Sequence, residues 1–203
     1  MKKILFLGDS ITDCNHCFDP ENLGFGYVRM IAEKITPEQN CQVFNKGNDG
    51  FTVPAVRRLW KQNCLGMQPD FITILIGIND LSVIKNTGIT PSVGLAQFRE
   101  QYQALIDEIR MLCDCPILLM EPFIFPYPAE YATWENELHQ MNRIIETLAL
   151  DNQLSYLPLW QNLYITAKQE GYREITFDGI HLTSEGHAII AHSWLDKYLQ
   201  MHS

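Results

Sequence analysis

The sequence predicts an α/β protein, a three-layer α/β/α sandwich built on a five-stranded parallel sheet in the flavodoxin-like order 2-1-3-4-5. Three observations lead there. Short apolar runs bounded by turn residues recur along the chain, and segments of helical length and periodicity separate them. With 203 residues, 46% of them hydrophobic, the chain can bury one sizeable core and is short for two, so one domain over residues 1–203 is expected. Strands joined by helices pair in parallel through right-handed crossovers, which puts helices on both faces of the sheet.

The strands are expected in KKILFLG (residues 2–8), CQVFNKG (41–47), DFITILIG (70–77) and CPILLME (115–121), with a weaker fifth in SYLPL (155–159). Such runs read as strands buried on both faces. Between them lie helical segments: GYVRMIAEKI (26–35), VPAVRRLWKQNCL (53–65), SVGLAQFREQYQALIDEIRMLC (92–113) and WENELHQMNRIIETLALD (134–151), with TSEGHAIIAHSWLDKYLQ (183–200) last. In the third of these, Leu95, Phe98, Tyr102, Leu105, Ile106 and Ile109 recur every three or four residues, the stripe of a helix lying on a sheet. EPFIFPYPAEY (121–131) reads as a Pro-rich loop after the fourth strand, a place where specificity often resides.

A net charge of −9 and the absence of a basic run argue against a nucleic-acid backbone or an anionic membrane as partner. The apolar residues after Lys2 and Lys3 are too few for a secretory h-region, and Asp9 and Asp13 interrupt them, so a cytoplasmic protein without a membrane span is expected. Six cysteines are read as reduced thiols. Cys14-Asn-His-Cys17 has the CxxC spacing of zinc or redox sites, but no second pair completes a finger-like set, so no metal is expected.

In sheets of this order, sites form beyond the carboxyl ends of the strands near the switch point. Strands 1, 2 and 3 end there in Gly8-Asp9-Ser10, Asn45-Lys46-Gly47-Asn48-Asp49-Gly50 and Gly77-Ile78-Asn79-Asp80. A hydroxyl, a glycine-rich bend and a neutral amide are the parts needed for acyl transfer. Serine requires a base within hydrogen-bond reach and a group that orients the base. Among the six histidines, His181 has the arrangement: Asp178-Gly-Ile-His181 precedes the last helix, and a turn of that length can fold the carboxylate back onto Nδ1–H. His16, His139, His187, His192 and His202 lack it, and His187 and His192, inside the terminal helix, read as surface or packing residues. Donors aimed at a developing oxyanion are typically worth ~3 to 4 kcal/mol each. The backbone N–H groups of Ser10 and Gly50 and the side-chain amide of Asn79 are the candidates.

These blocks, GDSIT, NKGNDG, GIND and DGIH, resemble those of the SGNH (GDSL-type) hydrolases, in that family's order and across the whole chain. The resemblance implies Ser10 as nucleophile, His181 as base and Asp178 as its orienting acid. It also implies Ser10, Gly50 and Asn79 in the oxyanion hole, and no cofactor. The second block is the loosest match: Gly47 or Gly50 fits, with Gly50 favoured because it precedes a Thr-containing segment. Ile11 stands where many members have Leu, and Leu182 where Pro is frequent. The fuller patterns GDSITDC, GYV, VFNKG and ILIGIND look most like intracellular acetylxylan esterases and related carbohydrate deacetylases. The expected partner is thus a small ester, an acetylated sugar above all, and self-association is expected. The rival within the family is a lysophospholipase or thioesterase. A flavin or nucleotide binder lacks the necessary G-x-G-x-x-G or Walker loop after the first strand.

Asp9 and Asp80 read as turn-holding residues, as do Asn15, Asn48 and Asp49. Trp60 and Trp194 read as core. Trp134 and Phe177 are the candidates for a substrate wall.

Overall fold

A computed structural model describes residues 1–64 and 66–202, so Leu65, at the end of the second expected helix, lies outside the described residues. The chain runs β1 (Lys2–Gly8), α1 (Ser10–Asp13), α2 (Tyr27–Glu38), β2 (Cys41–Gly47), α3 (Val53–Cys64), β3 (Phe71–Leu75), α4 (Ile78–Asn86) and α5 (Pro91–Arg110). It continues through β4 (Ile117–Met120), α6 (Glu135–Asp151), β5 (Ser155–Leu157), α7 (Trp160–Glu170), α8 (Tyr172–Ile175) and α9 (Ser184–His202). The strands form one parallel sheet in the order β2-β1-β3-β4-β5, as the alternation of strands and helices predicts.

The sheet separates two apolar layers. On one side Phe6, Phe71 and Met120 meet Tyr27, Trp194 and Tyr198 of α2 and α9. On the other, Leu5, Leu7, Ile72 and Ile74 meet Trp60 and the α5 stripe. All six residues of that stripe are buried, and so are Trp60 and Trp194. Trp194 carries a polar N–H into this core and donates it to Thr73 Oγ1 at 2.9 Å, which removes the cost of an unsatisfied buried donor.

Three features depart from the sequence reading. Burial on both faces holds for β3 and β4 and for the apolar body of β1, but β2 alternates buried and more exposed residues and β5 is buried only at Leu157, because both are edge strands. A second helix, α4, precedes α5; Ile78, Leu81 and Ile84 form its buried face at threefold spacing, a signal masked by the Asn79-Asp80 turn chemistry at its start. A further helix, α7, follows β5, and its first amides, Leu159 N–H and Trp160 N–H, both donate to Glu121 Oε2 at 2.8 Å. That acceptor comes from the end of β4, so this N-terminus is completed by a tertiary contact with no local signature.

Register sets what lies beside what. Gly8 is level with Gly47 on one side and with Leu75 on the other. The backbone of α1 then folds down onto the end of β2: a Cβ on Gly47 would stand 2.2 Å from Asp13 N and 2.7 Å from Thr12 C. No side-chain motion relieves contacts with backbone. Gly47→Ala is therefore expected to lower stability by about 1–3 kcal/mol, read as a lower urea midpoint at unchanged slope. An unchanged midpoint would mean that α1 is not seated on β2.

Candidate active site

The chain leaves β1 and turns at once into α1, with Asp9 as N-cap: its Oδ1 accepts the Ile11 N–H at 3.1 Å. Ser10 is the first residue of that helical turn. Its backbone N–H enters no hydrogen bond among the described residues, as expected at a helix N-terminus.

The loop before α9 delivers His181 from the far end of the chain. Thr176 and Leu182 form an isolated antiparallel bridge, Phe177 N–H donates to His181 O at 2.9 Å, and Thr176 Oγ1 donates to the same carbonyl at 2.7 Å. Gly179 takes φ +94°, and a Cβ there would stand 2.0 Å from Tyr127 O, so only glycine lets the loop close against the segment after β4. Within this bend Asp178 Oδ1 accepts the N–H groups of Ile180 and His181 at 3.0 and 2.7 Å. Asp178 Oδ2 lies 2.6 Å from His181 Nδ1, and His181 Nε2 lies 3.1 Å from Ser10 Oγ. With Nδ1–H donated to the carboxylate, Nε2 is bare toward the serine hydroxyl. Partial burial pushes the Asp178 carboxyl up, but the bonds from His181 and the two amides outweigh it and hold it below its ordinary value.

A cavity of about 310 Å³ opens over this line, with Ser10, His181, Asp49, Cys14, His187 and Phe177 in its lining. Phe177 is 71% exposed. Trp134 is set back from that lining: it packs edge-on against Tyr131, whose ring approaches Gly179.

Of the two candidate glycines, Gly47 has its N–H engaged, donated to Asn45 Oδ1 at 2.9 Å. The Gly50 N–H has no partner among the described residues. Asn79 Nδ2 donates one hydrogen to Phe51 O at 2.9 Å, which ties the end of β3 to the Gly50 loop and leaves its second amide hydrogen unengaged among the described residues.

Asp9 holds its own turn, but Asp80, read from the sequence as another turn residue, reaches a distant backbone amide instead. Asp80 accepts the Val53 N–H at the start of α3 on both oxygens, at 3.2 and 3.1 Å. Asp9 is fully buried, and its Oδ2 has no partner among the described residues. Burial raises both carboxyls to about 7.

Two residues that sequence reasoning left without a role organise the site. Asn45, buried in β2, donates through Nδ2 to Thr12 O at 2.6 Å and Leu23 O at 2.7 Å, clamping the segment that follows Ser10. Its place inside NKGNDG was the available signal. His187 is buried, stacks on Tyr27, and accepts the Tyr27 N–H on Nδ1 at 3.2 Å, so it serves the N-terminus of α2. Burial, helped by the neighbouring His181 charge, pushes it down to about 4, and the neutral ring presents Nε2–H to Cys14 Sγ at 3.5 Å.

Fold and site together define an α/β/α hydrolase with an aspartate-oriented imidazole against a serine hydroxyl. Residues 6–189 match the GDSL-like Lipase/Acylhydrolase family, and the chain belongs to that family. It is a carboxylic ester hydrolase. An acetylxylan esterase from Geobacillus stearothermophilus is 29% identical over 96% of this chain and 92% of its own length. Its crystal structure superposes with a TM-score of 0.84 at 27% identity, covering 96% of this chain and 93% of the other. A candidate GDSL-like lipase from Parabacteroides merdae gives a TM-score of 0.87 at 26% identity, covering 96% and 94%. Catalytic mutants of the Geobacillus esterase alter a serine, an aspartate, and a histidine three residues beyond the aspartate.

The raised Asp9 carboxyl makes a test of its burial. A native acid with its pKa near 7, against 3.8 ordinarily, binds a proton that the unfolded chain has already released. Its contribution is most favourable below 3.8, is lost as pH rises from there to about 7, and stays lost above. Relative to Asp9→Asn, the wild type should therefore lose stability across that window, measured as urea midpoints at a series of pH values. A constant difference between the two would show Asp9 titrating normally.

Proposed function

We propose that the protein is a serine esterase that removes short acyl groups, acetyl above all, from carbohydrate hydroxyls, with Ser10, His181 and Asp178 as its triad. The observation that carries this reading is the unbroken line from Asp178 Oδ2 through His181 to Ser10 Oγ, at 2.6 and 3.1 Å. The acetylxylan esterase relative supports the acyl group and the sugar, and its catalytic aspartate and histidine have the Asp178–His181 spacing.

In the first step His181 Nε2 takes the Ser10 proton as Oγ attacks the acyl carbonyl. The imidazolium is stabilised by Asp178, which stays ionised because its pKa is lowered. Negative charge on the carbonyl oxygen is met by the N–H groups of Ser10 and Gly50 and by the free hydrogen of Asn79. Protonated His181 then gives its proton to the departing sugar hydroxyl. Water enters, loses a proton to His181, and releases the acid from Ser10 by the same path in reverse. Phe177, exposed beside the cavity, is the aromatic we assign to the substrate wall, with Trp134 and Tyr131 behind it.

The test is hydrolysis of p-nitrophenyl acetate against p-nitrophenyl octanoate, then acetate release from an acetylated xylo-oligosaccharide. Acetate should be preferred, and Ser10→Ala should abolish turnover with folding intact. An octanoate preference would move the assignment to a lysophospholipase or thioesterase, and full turnover in Ser10→Ala would remove Ser10 from the mechanism. Asn79→Ala should lower kcat roughly a hundredfold or more with a smaller change in KM. A change confined to KM would make Asn79 a substrate-binding residue instead.

A further inference from the structure

The segment just after Ser10 repeats the geometry of the His181 bend with a different nucleophile. Asp13-Cys-Asn-His16 has the spacing of Asp178-Gly-Ile-His181, so His16 does not lack the arrangement, as the sequence reading had it, but shares it with His181. Asp13 Oδ1 accepts the backbone N–H of His16 at 3.1 Å and lies 2.7 Å from His16 Nδ1, the two contacts that Asp178 divides between its two oxygens for His181. Asp13 Oδ2 accepts the Asp49 N–H at 3.0 Å, which fixes the carboxylate from its other side. Both side chains are largely covered, 12% exposed for His16 and 17% for Asp13. His16 Nδ1–H is thus committed to a held carboxylate, and Nε2 is left bare. It faces Cys17 Sγ at 3.6 Å, within the longer reach of sulfur.

Cys17 differs from the other described cysteines in its access to solvent. Cys14, Cys41, Cys113 and Cys115 are buried or half-buried, and burial pushes each thiol up, Cys115 to about 12. Cys17 is exposed. A thiol reacts as its thiolate, and reactive cysteines combine solvent access with a neighbouring base. Among the described residues, no group of three or more His, Cys, Asp or Glu side chains is arranged to hold a metal ion.

We propose that Asp13, His16 and Cys17 form a second nucleophilic centre, a thiol modification site beside the ester cavity whose substrates are low-molecular-weight disulfides. His16 Nε2 takes the Cys17 proton, and the sulfur lone pair forms a new S–S bond to one half of the disulfide. The S–S bond of the reagent breaks, and its electron pair leaves on the other half, which is released as a thiol after taking the proton from His16. Cys17 is oxidised to the disulfide level and the departing half is reduced, so the exchange needs no further oxidant. Ser10 and His181 take no part.

The test is the rate of reaction with dithiodipyridine, followed by thiopyridone release, with the modified residue located by peptide mass mapping. One thiol per chain should react in a fast phase, faster than N-acetylcysteine at the same pH, and the adduct should map to Cys17. Cys17→Ser should remove the phase. His16→Gln, whose amide can still donate to Asp13, should slow it about tenfold or more. An adduct that maps to another cysteine would overturn the proposal. So would a Cys17 that reacts no faster than N-acetylcysteine, or an undiminished rate in His16→Gln.

Discussion

The site depends on one register. Parallel pairing sets Gly8 beside Gly47 and Leu75, so the chain leaves three adjacent strands at the same height. Everything later is a short excursion from that line: Ser10 two residues beyond β1, Gly50 three beyond β2, Asn79 four beyond β3. A slip of one residue in any of these pairings would reverse the faces of that strand and move its terminal residues out of reach. The fully buried runs of β3 and β4 and of Ile4 to Leu7, held between two helical layers, fix the register against such slips.

The floor of the site is built from polar groups kept neutral or fully committed. Asp9 is raised toward 7 and His187 is depressed to about 4, both mainly by burial. Neither adds a fixed charge under Ser10 near neutral pH beyond the partial ionisation of Asp9. Asn45 spends its amide on the carbonyls of Thr12 and Leu23 and its oxygen on Gly47. The exposed end of the site is different: Asp178 and His181 are half open to water, and their geometry comes from the local bend and from Thr176. Rigidity below and access above suit a reaction in which substrate and water must enter in turn.

Much of this was legible in the chain. The strand runs and the stripe of α5 announce the layers, and the strand ends announce Ser10, Gly50 and Asn79. The Asp-x-x-His spacing before α9 marks His181, because a hydrogen bond across three residues is a local event. The same local chemistry gives Asp13 its hold on His16, which the sequence reading overlooked. Apart from α4, masked by turn residues at its start, what escaped the reading was made largely by distant contacts. Glu121 completes the N-terminus of α7, and His187 serves that of α2 from the other end of the chain. The physical ground for proposing Gly50 over Gly47 is likewise tertiary in setting: the Gly47 amide is already engaged by Asn45.

The sequence by itself determined the layer order, the strands and the side chains proposed to carry the chemistry, because periodicity, turn residues and short-range hydrogen bonds are written locally. Only the tertiary structure decided which of those groups meet. Ser10 and His181 are 171 residues apart and stand 3.1 Å from each other. That distance is set by the packing of α2 against α9 and by the closure of the Gly179 bend on Tyr127, contacts between segments that no local pattern encodes.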